Sequence, residues 1–274
     1  MRIPLAGVIG CPVGHSRSPR LHGAWLRDYG IAGHYVPLHV AAEDLAQALR
    51  AMPRMGFVGA NVTIPHKEAA LALADHVTEA ARVIGAANTL SFTARGIEAD
   101  NTDSYGFLAN LRAGAPGWRG PEGPALVLGA GGAARAVLVA LAEAGVPEIR
   151  LANRTLARAE ALAEAIDAPI VVVPWEERAT AADGAGLVVN TTALGMTGQP
   201  ELDFPPGALR ADMVVTDIVY TPLETALLRD ARAQGCVVVD GLGMLLHQAV
   251  PGFERWFGRR PQVNAALRAA VLAT

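Results

Sequence analysis

The sequence predicts an α/β protein built on mostly parallel β-sheet, and three observations carry that prediction. Short apolar runs alternate with helical patterns along most of the chain, which is the pattern βα units produce. A glycine-rich turn, Gly129 to Ala134, stands between a strand-like run and a helical one. The chain has 274 residues, 51% of them hydrophobic and 18% charged, which is enough apolar material for one large or two modest domains.

The elements follow in order. LAGVIG (5–10) reads as a strand. Ser18-Pro19 opens a helix through about Tyr29, with Ser18 as the cap and proline suited to the first turn. HYVPLHV (34–40) is a strand, AEDLAQALRAM (42–52) a helix and FVGANVT (57–63) a strand. Pro65 sits at the first turn of a helix running through Ala74. NTLSF (88–92) and GIEAD (96–100) are two further β-runs. GAPGWRGPEGP (114–124) is rich in glycine and proline and reads as a loop. Next come the strand, turn and helix of 125–145, a strand in EIRLANR (148–154) and a helix in 155–166. Apolar runs beginning at 170, 186, 213 and 236 continue the strand series, and the tail from Leu242 to Ala273 is largely helical.

Composition excludes several functions. The net charge is −3, there is no basic tract and aromatic residues are few, which disfavours nucleic-acid binding through a charged surface. Cys11 and Cys236 lie far apart in no CxxC pattern, so neither a disulfide scaffold nor a metal site is expected. The apolar run near the N-terminus breaks at Pro12 without a cleavage pattern. No run reaches the roughly 18 apolar residues of a membrane span. A cytoplasmic protein with a small-molecule ligand is the expectation.

The turn G-A-G-G-A-A, comprising Gly129, Ala130, Gly131, Gly132, Ala133 and Ala134, matches the dinucleotide fingerprint G-x-G-x-x-G/A. Gly129 permits the tight turn, while Gly131 and Gly132 let the backbone approach a pyrophosphate at the helix N-terminus. The second strand of such a unit ends about 20 residues on, where an acidic residue receives the ribose hydroxyls of NAD. This chain presents Asn153-Arg154-Thr155 there, with Arg158 one turn later. Arginines and a hydroxyl suit a 2′-phosphate, so NADP is the expected cofactor. The alternative is a solvated arginine pair at a helix start.

Polar residues of the N-terminal half gather where strands end, the place where ligands bind in open α/β sheets. Ser16 and Ser18 follow the first strand. Asn61, Thr63 and Lys67 end a later one. Asn88 begins the next β-run, and Asp103 follows the last. Hydroxyls, amides, one cation and one carboxylate suit a small polyhydroxy acid. Each has a plain structural alternative: Ser18 as a helix cap, Asn61 as a turn former, Asp103 as an N-cap. Lys67 is the single lysine beside 22 arginines. Arginine holds an anion but does not release a proton, whereas lysine does both. A lone lysine is equally what a general drift toward arginine leaves behind.

Taken together, the motifs HSRSP (15–19), NVTIPHK (61–67), GAANTL (85–90), DNTDSYGF (100–107), GAGGAARAV (129–137), NRT (153–155), NTTALGM (190–196), DIVYTPLET (217–225) and DGLGMLLHQA (240–249) resemble the shikimate dehydrogenase family from end to end. The resemblance implies NADP-dependent reduction of 3-dehydroshikimate to shikimate, with Lys67 and Asp103 as the catalytic pair. It implies that Ser16 and Ser18 bind the substrate carboxylate and that Asn61, Thr63, Asn88 and Gln248 bind its hydroxyls, with Tyr220 near the carboxylate end. It adds Thr191, Ile218 and Gly241 to the cofactor-binding residues. The implied architecture is two-domain: an N-terminal α/β substrate domain of residues 1–101 plus 240–274, a Rossmann-like NADP-binding domain of 102–239, and a cleft between them. A monomer or homodimer is expected. His66 stands where the family often has Phe and is expected to face outward, and Ser104 stands where it often has Gly. A quinate/shikimate dehydrogenase using NAD and a non-catalytic shikimate-binding sensor are the alternatives.

Overall fold

The protein, described by a computed structural model over residues 3–273, is α/β throughout. It divides into two compact units. One runs to Thr102 and resumes at Leu246; the other is Asp103–Leu245.

The first unit carries a six-stranded sheet of β1 (Leu5–Gly10), β2 (His34–His39), β3 (Phe57–Val62), β4 (His76–Val77), β5 (Thr89–Thr93) and β6 (Gly96–Asp100), in the order β2-β1-β3-β5-β6-β4. β1 pairs in parallel with β2 and β3, whereas β5 runs antiparallel to both β3 and β6. β5 and β6 form a hairpin in which Thr93 faces Gly96 across the turn, and Gly96 has φ +115°. Glycine adopts that conformation without steric penalty. The antiparallel inversion has a consequence for function. β5 begins where β3 ends, so Thr89 faces Asn61 and Asn88 lies beside it.

Helix α1 (Ser18–Asp28) differs from expectation at its start. The cap position is Arg17, without a side-chain cap bond, and Ser18 is the first helical residue. Its N–H donates to Ser16 Oγ at 3.3 Å, so the capping hydroxyl is Ser16's. Helix α3 (Lys67–Ala72) likewise starts two residues after Pro65, because His66 N–H closes a turn onto the Thr63 carbonyl at 2.9 Å. The region between β1 and β5 also holds α2 (Leu45–Ala51) and α4 (Glu79–Ile84). The core gathers Ile9, Leu45, Leu49, Phe57, Val62 and Leu90.

The second unit holds α5 (Asp103–Gly114) and a wholly parallel sheet of β7 (Ala125–Leu128), β8 (Ile149–Asn153), β9 (Ile170–Pro174), β10 (Leu187–Asn190), β11 (Val214–Asp217) and β12 (Val237–Val239). The order is β12-β11-β10-β7-β8-β9. This is the doubly wound arrangement, and its strand order reverses between β7 and β10. The strands read as near-continuous apolar runs because both faces of a parallel sheet are covered. The covering helices include α6 (Gly132–Glu143), α7 (Leu156–Glu164) and α8 (Ala226–Ala233). Ala134 and Ala136–Leu141 on α6 are buried.

The tail forms α9 (Leu242–Phe257) and α10 (Ala265–Leu272). Trp256 on α9 donates its Nε1–H to the Leu90 carbonyl at 3.0 Å, and Trp25 on α1 reaches the Gln262 carbonyl at 3.0 Å. The first bond ties α9 to the first sheet, and the second ties the segment between α9 and α10 to α1.

Candidate active site

In the first unit, three of the expected residues, Asn61, Asn88 and Gln248, meet in one hydrogen-bonded network. Asn61, on β3, is buried. Its Oδ1 accepts from Tyr35 OH at 2.7 Å, and its Nδ2 donates to the Asn88 carbonyl and to Thr89 Oγ1, both at 3.2 Å. Both amide hydrogens are therefore committed to the framework, leaving a lone pair on Oδ1 as the remaining polar capacity.

Asn88 is also buried. Its Oδ1 accepts from Thr102 N–H at 2.9 Å and from Thr89 Oγ1 at 2.9 Å, and its Nδ2 donates to Gln248 Oε1 at 2.9 Å. Thr102 Oγ1 in turn donates to the Gln248 backbone carbonyl at 2.8 Å. The network thus joins the ends of β3, β5 and β6 to α9. Tyr35, Thr89 and Thr102 were not singled out from the sequence. The two threonines stand inside the motifs N-T-L and N-T-D, so a reading of every polar residue in those motifs would have included them.

Ser16, Thr63 and Lys67 are half-buried at the same ends of β1 and β3. Thr63 packs tightly on the first strand: a Cβ on Gly10 would lie 2.6 Å from its methyl group. Lys67 is the first residue of α3, and its carbonyl accepts from Ala87 N–H at 2.9 Å, which binds that helix start to the segment carrying Asn88.

His66 does not face outward. It is 1% exposed, and its Nε2 lies 2.8 Å from the Val40 carbonyl. A carbonyl only accepts, so Nε2 carries the proton and donates. Val40 follows the edge strand β2 and gives its N–H to the Gly10 carbonyl at 3.3 Å, and a phenylalanine at position 66 would leave the Val40 carbonyl without the histidine donor.

Another buried histidine lies beneath the network. His22 is fully buried, stacked on Tyr35 and ringed by Trp25, Phe253 and Trp256, and neither of its nitrogens has a hydrogen-bond partner. Burial among these rings lowers its pKa to about 3, because desolvation of an imidazolium outweighs what the nearby Asn61 side chain offers it.

In the second unit the glycine turn follows β7 and opens α6, at the point where the strand order reverses. Gly129 has φ +105°, and a Cβ there would lie 2.8 Å from the Thr192 methyl and 2.9 Å from Thr191 Oγ1. A Cβ on Gly131 or Gly132 would meet nothing within 4 Å. The backbone amides at the start of α6 therefore border open space. Asn153, at the end of β8, accepts from Ala130 N–H through Oδ1 at 3.1 Å and donates through Nδ2 to the Thr155 carbonyl at 2.8 Å. Thr191 donates its hydroxyl to the Leu128 carbonyl at 2.7 Å, so it braces the turn from β10.

Gly129, Ala130, Gly131, Asn153, Arg154 and Thr191 line a cavity of about 260 Å³, together with Trp175, Thr192, Ala193, Leu194 and Gln199. Arg154, Thr155 and Arg158 are exposed. The chemistry of this set fits a dinucleotide phosphate: open backbone amides, a helix N-terminus and a flanking guanidinium. Trp175 and Gln199 had no signal in the sequence, since both lie outside any motif.

Ile218 and Tyr220 follow β11. A Cβ on Gly241 would lie 2.3 Å from the Ile218 carbonyl, so Gly241 is where the backbone approaches that loop closely. Asp103 is the first residue of α5, directly after Thr102 in the chain.

With this geometry in hand, three regions match described families. Residues 8–90 match the shikimate dehydrogenase substrate binding domain, 121–196 the shikimate / quinate 5-dehydrogenase family, and 241–271 the shikimate 5′-dehydrogenase C-terminal domain. A shikimate dehydrogenase (NADP(+)) of Ruegeria sp. (strain TM1040) is 61% identical over 272 residues, 99% of each chain.

The chain belongs to the shikimate dehydrogenase family.

Solved structures agree. A quinate dehydrogenase from Corynebacterium glutamicum in complex with NAD superposes with a TM-score of 0.92 at 36% identity, covering 98% of this chain and 99% of the other. A shikimate 5-dehydrogenase from Thermus thermophilus in complex with NADP(H) and shikimate has a TM-score of 0.87 at 40% identity, covering 98% of each chain. Among the described residues, no helix is long and apolar enough to cross a membrane.

Proposed function

We propose that the protein catalyses the reversible, NADP-dependent reduction of 3-dehydroshikimate to shikimate, the shikimate-pathway step of aromatic amino acid biosynthesis, in the cytoplasm as a monomer or homodimer. The observation that carries the cofactor choice is Arg154. It flanks the glycine-turn cavity where the second strand ends, with Asn153 in place of a carboxylate. A guanidinium there favours a 2′-phosphate, and no carboxylate stands at that strand end to accept from a free 2′-hydroxyl. The substrate choice rests on family membership together with the network of Asn61, Asn88 and Gln248. The unit running to Thr102 and resuming at Leu246 is assigned the substrate, and Asp103–Leu245 the cofactor.

When bound, NADPH supplies a hydride to the C3 ketone. The residues of the chain do the rest. Negative charge develops on the ketone oxygen as its carbon is reduced, and the Lys67 ammonium stabilises that charge and donates the proton. In the oxidative direction Lys67 accepts it back. Asp103 is assigned as the carboxylate that positions Lys67. Ser16 and Ser18 bind the substrate carboxylate. Ser16 Oγ accepts from Ser18 N–H, which leaves its own O–H to donate. Thr63, Asn88 and Gln248 hold the ring hydroxyls, with Asn61 as an acceptor, and Tyr220 lies at the carboxylate end.

The likeness to an NAD-bound quinate dehydrogenase makes quinate with NAD the second reading. Arg154 and the serine at both positions of S-x-S-P stand against it. Turnover of shikimate and quinate, each with NADP+ and NAD+, tests the proposal.

A further inference from the structure

Asp217 is fully buried at the end of β11, and none of the surrounding bonds comes from a cation. Three neutral donors converge on its carboxylate. Asn190 Nδ2 and Val219 N–H donate to Oδ1 at 3.0 and 2.9 Å, and Thr225 Oγ1 donates to Oδ2 at 2.7 Å. Asn190 Nδ2 and Val219 N–H can only donate and share Oδ1, and the Thr225 hydroxyl donates to Oδ2, so one carboxylate meets all three as an acceptor. The bonds cross between segments. Thr225 caps α8, and Val219 lies between Ile218 and Tyr220. Asn190, its Nδ2 held by Asp217, accepts from Thr192 N–H and Oγ1 at 3.0 and 2.7 Å. One carboxylate thus pins both ends of the 217–225 loop and the wall of the glycine-turn cavity. Burying an unpaired charge is costly, and burial raises this carboxyl above its usual range. A protein needing only a packed strand end would place an apolar residue here.

We infer that Asp217 and Thr225 are positioning residues: their bond fixes the 218–225 loop and thereby places Tyr220 for the substrate. The inference rests on the assignment of Tyr220 to shikimate.

The test is a double-mutant cycle of Thr225→Val and Tyr220→Phe in the full chain, with Thr225→Ser as the conservative variant and amide hydrogen exchange at Val219 as a readout independent of activity. Thr225→Val is expected to raise the KM for shikimate at least about threefold in the wild-type background and to have no such effect in Tyr220→Phe. It should leave NADP+ binding within about twofold, since Asn190 keeps its bond to Oδ1. Val219 exchange should accelerate, and Thr225→Ser should restore both readouts. A residue with only a structural role would lower the melting temperature and the active fraction without moving KM. If Thr225→Val does not fold, Thr225→Ala, which also removes the hydroxyl and leaves Asp217 in place, carries the same measurements. An unchanged KM, additive effects, or unchanged Val219 exchange would overturn the inference. Absence of shikimate turnover in the wild type would overturn the activity proposed above instead, and Val219 exchange would then decide the anchoring alone.

Discussion

The imidazole of His22 lies flat on the phenol of Tyr35, with ring centroids 3.9 Å apart and planes 2° apart. The same Tyr35 holds Asn61 through its hydroxyl. A titratable ring thus sits in an aromatic cage directly under the Asn61 network. Its folded pKa of about 3 is below the unfolded value of 6.5. The unfolded chain therefore binds a proton that the folded chain refuses as pH falls through that window. Stability contributed by neutral His22 is fully present above pH 6.5 and is lost progressively toward pH 3, by up to about 1.4 kcal/mol per pH unit. His22→Phe keeps a stacked ring and removes the proton site. Urea unfolding at neutral and mildly acidic pH should show wild type losing more stability than the variant. Equal losses would contradict the caged-histidine account.

Lys67→Ala should lose activity mainly through kcat, by about 10²–10⁴-fold, the usual contribution of general acid–base catalysis. Lys67→Arg should also fail, because a guanidinium supplies charge without releasing the proton. Steady-state kinetics decide between these outcomes. Near-normal kcat in Lys67→Ala would remove it from the mechanism, and high activity in Lys67→Arg would mean that charge alone suffices.

Arg154→Ala should weaken NADP+ by roughly 10–150-fold, the loss of a charged hydrogen bond of about 1.5–3 kcal/mol, and leave NAD+ nearly unaffected. Binding titrations of both cofactors check this. Equal weakening of the two would contradict a 2′-phosphate contact.

Gly129→Ala should behave differently. Its φ of +105° and the 2.8–2.9 Å approach of Thr192 and Thr191 leave no room for a methyl group. The backbone term alone costs roughly 1–2 kcal/mol. The melting temperature should fall, and NADP+ and NAD+ should weaken together. Loss confined to NADP+ would contradict the role of this turn as the shared pyrophosphate site.

Much of this was legible in the residues. β1 and β6 span LAGVIG and GIEAD as read, the first an apolar run and the second an alternation of Ile97 and Ala99 with Glu98 and Asp100 that starts at the Gly96 turn. The glycine turn lies between β7 and α6, because a strand, three glycines and an alanine-rich helix admit few other arrangements. Other features depend on tertiary partners. β4, α4, α5 and α8 have no counterpart among the elements expected from the sequence: β4 is two residues long and exists through its pairing with β6, and α4 has a single-turn core of Ala81 and Ile84. Ser18 looks like a helix cap until Ser16 is seen to supply the hydroxyl. His66 looks like a surface residue until the Val40 carbonyl appears opposite it. The antiparallel turn of β5, which brings Asn88 to Asn61, has no signature in local periodicity because register is set between strands.

The most direct test of the account is turnover by the purified protein, followed by the absorbance of the reduced nicotinamide, with shikimate and quinate each offered NADP+ and NAD+. Fast reduction with shikimate and NADP+ alone is the predicted result. Quinate or NAD+ performing as well would contradict the specificity read from Arg154 and the paired serines, and silence in all four combinations would contradict the catalytic reading itself.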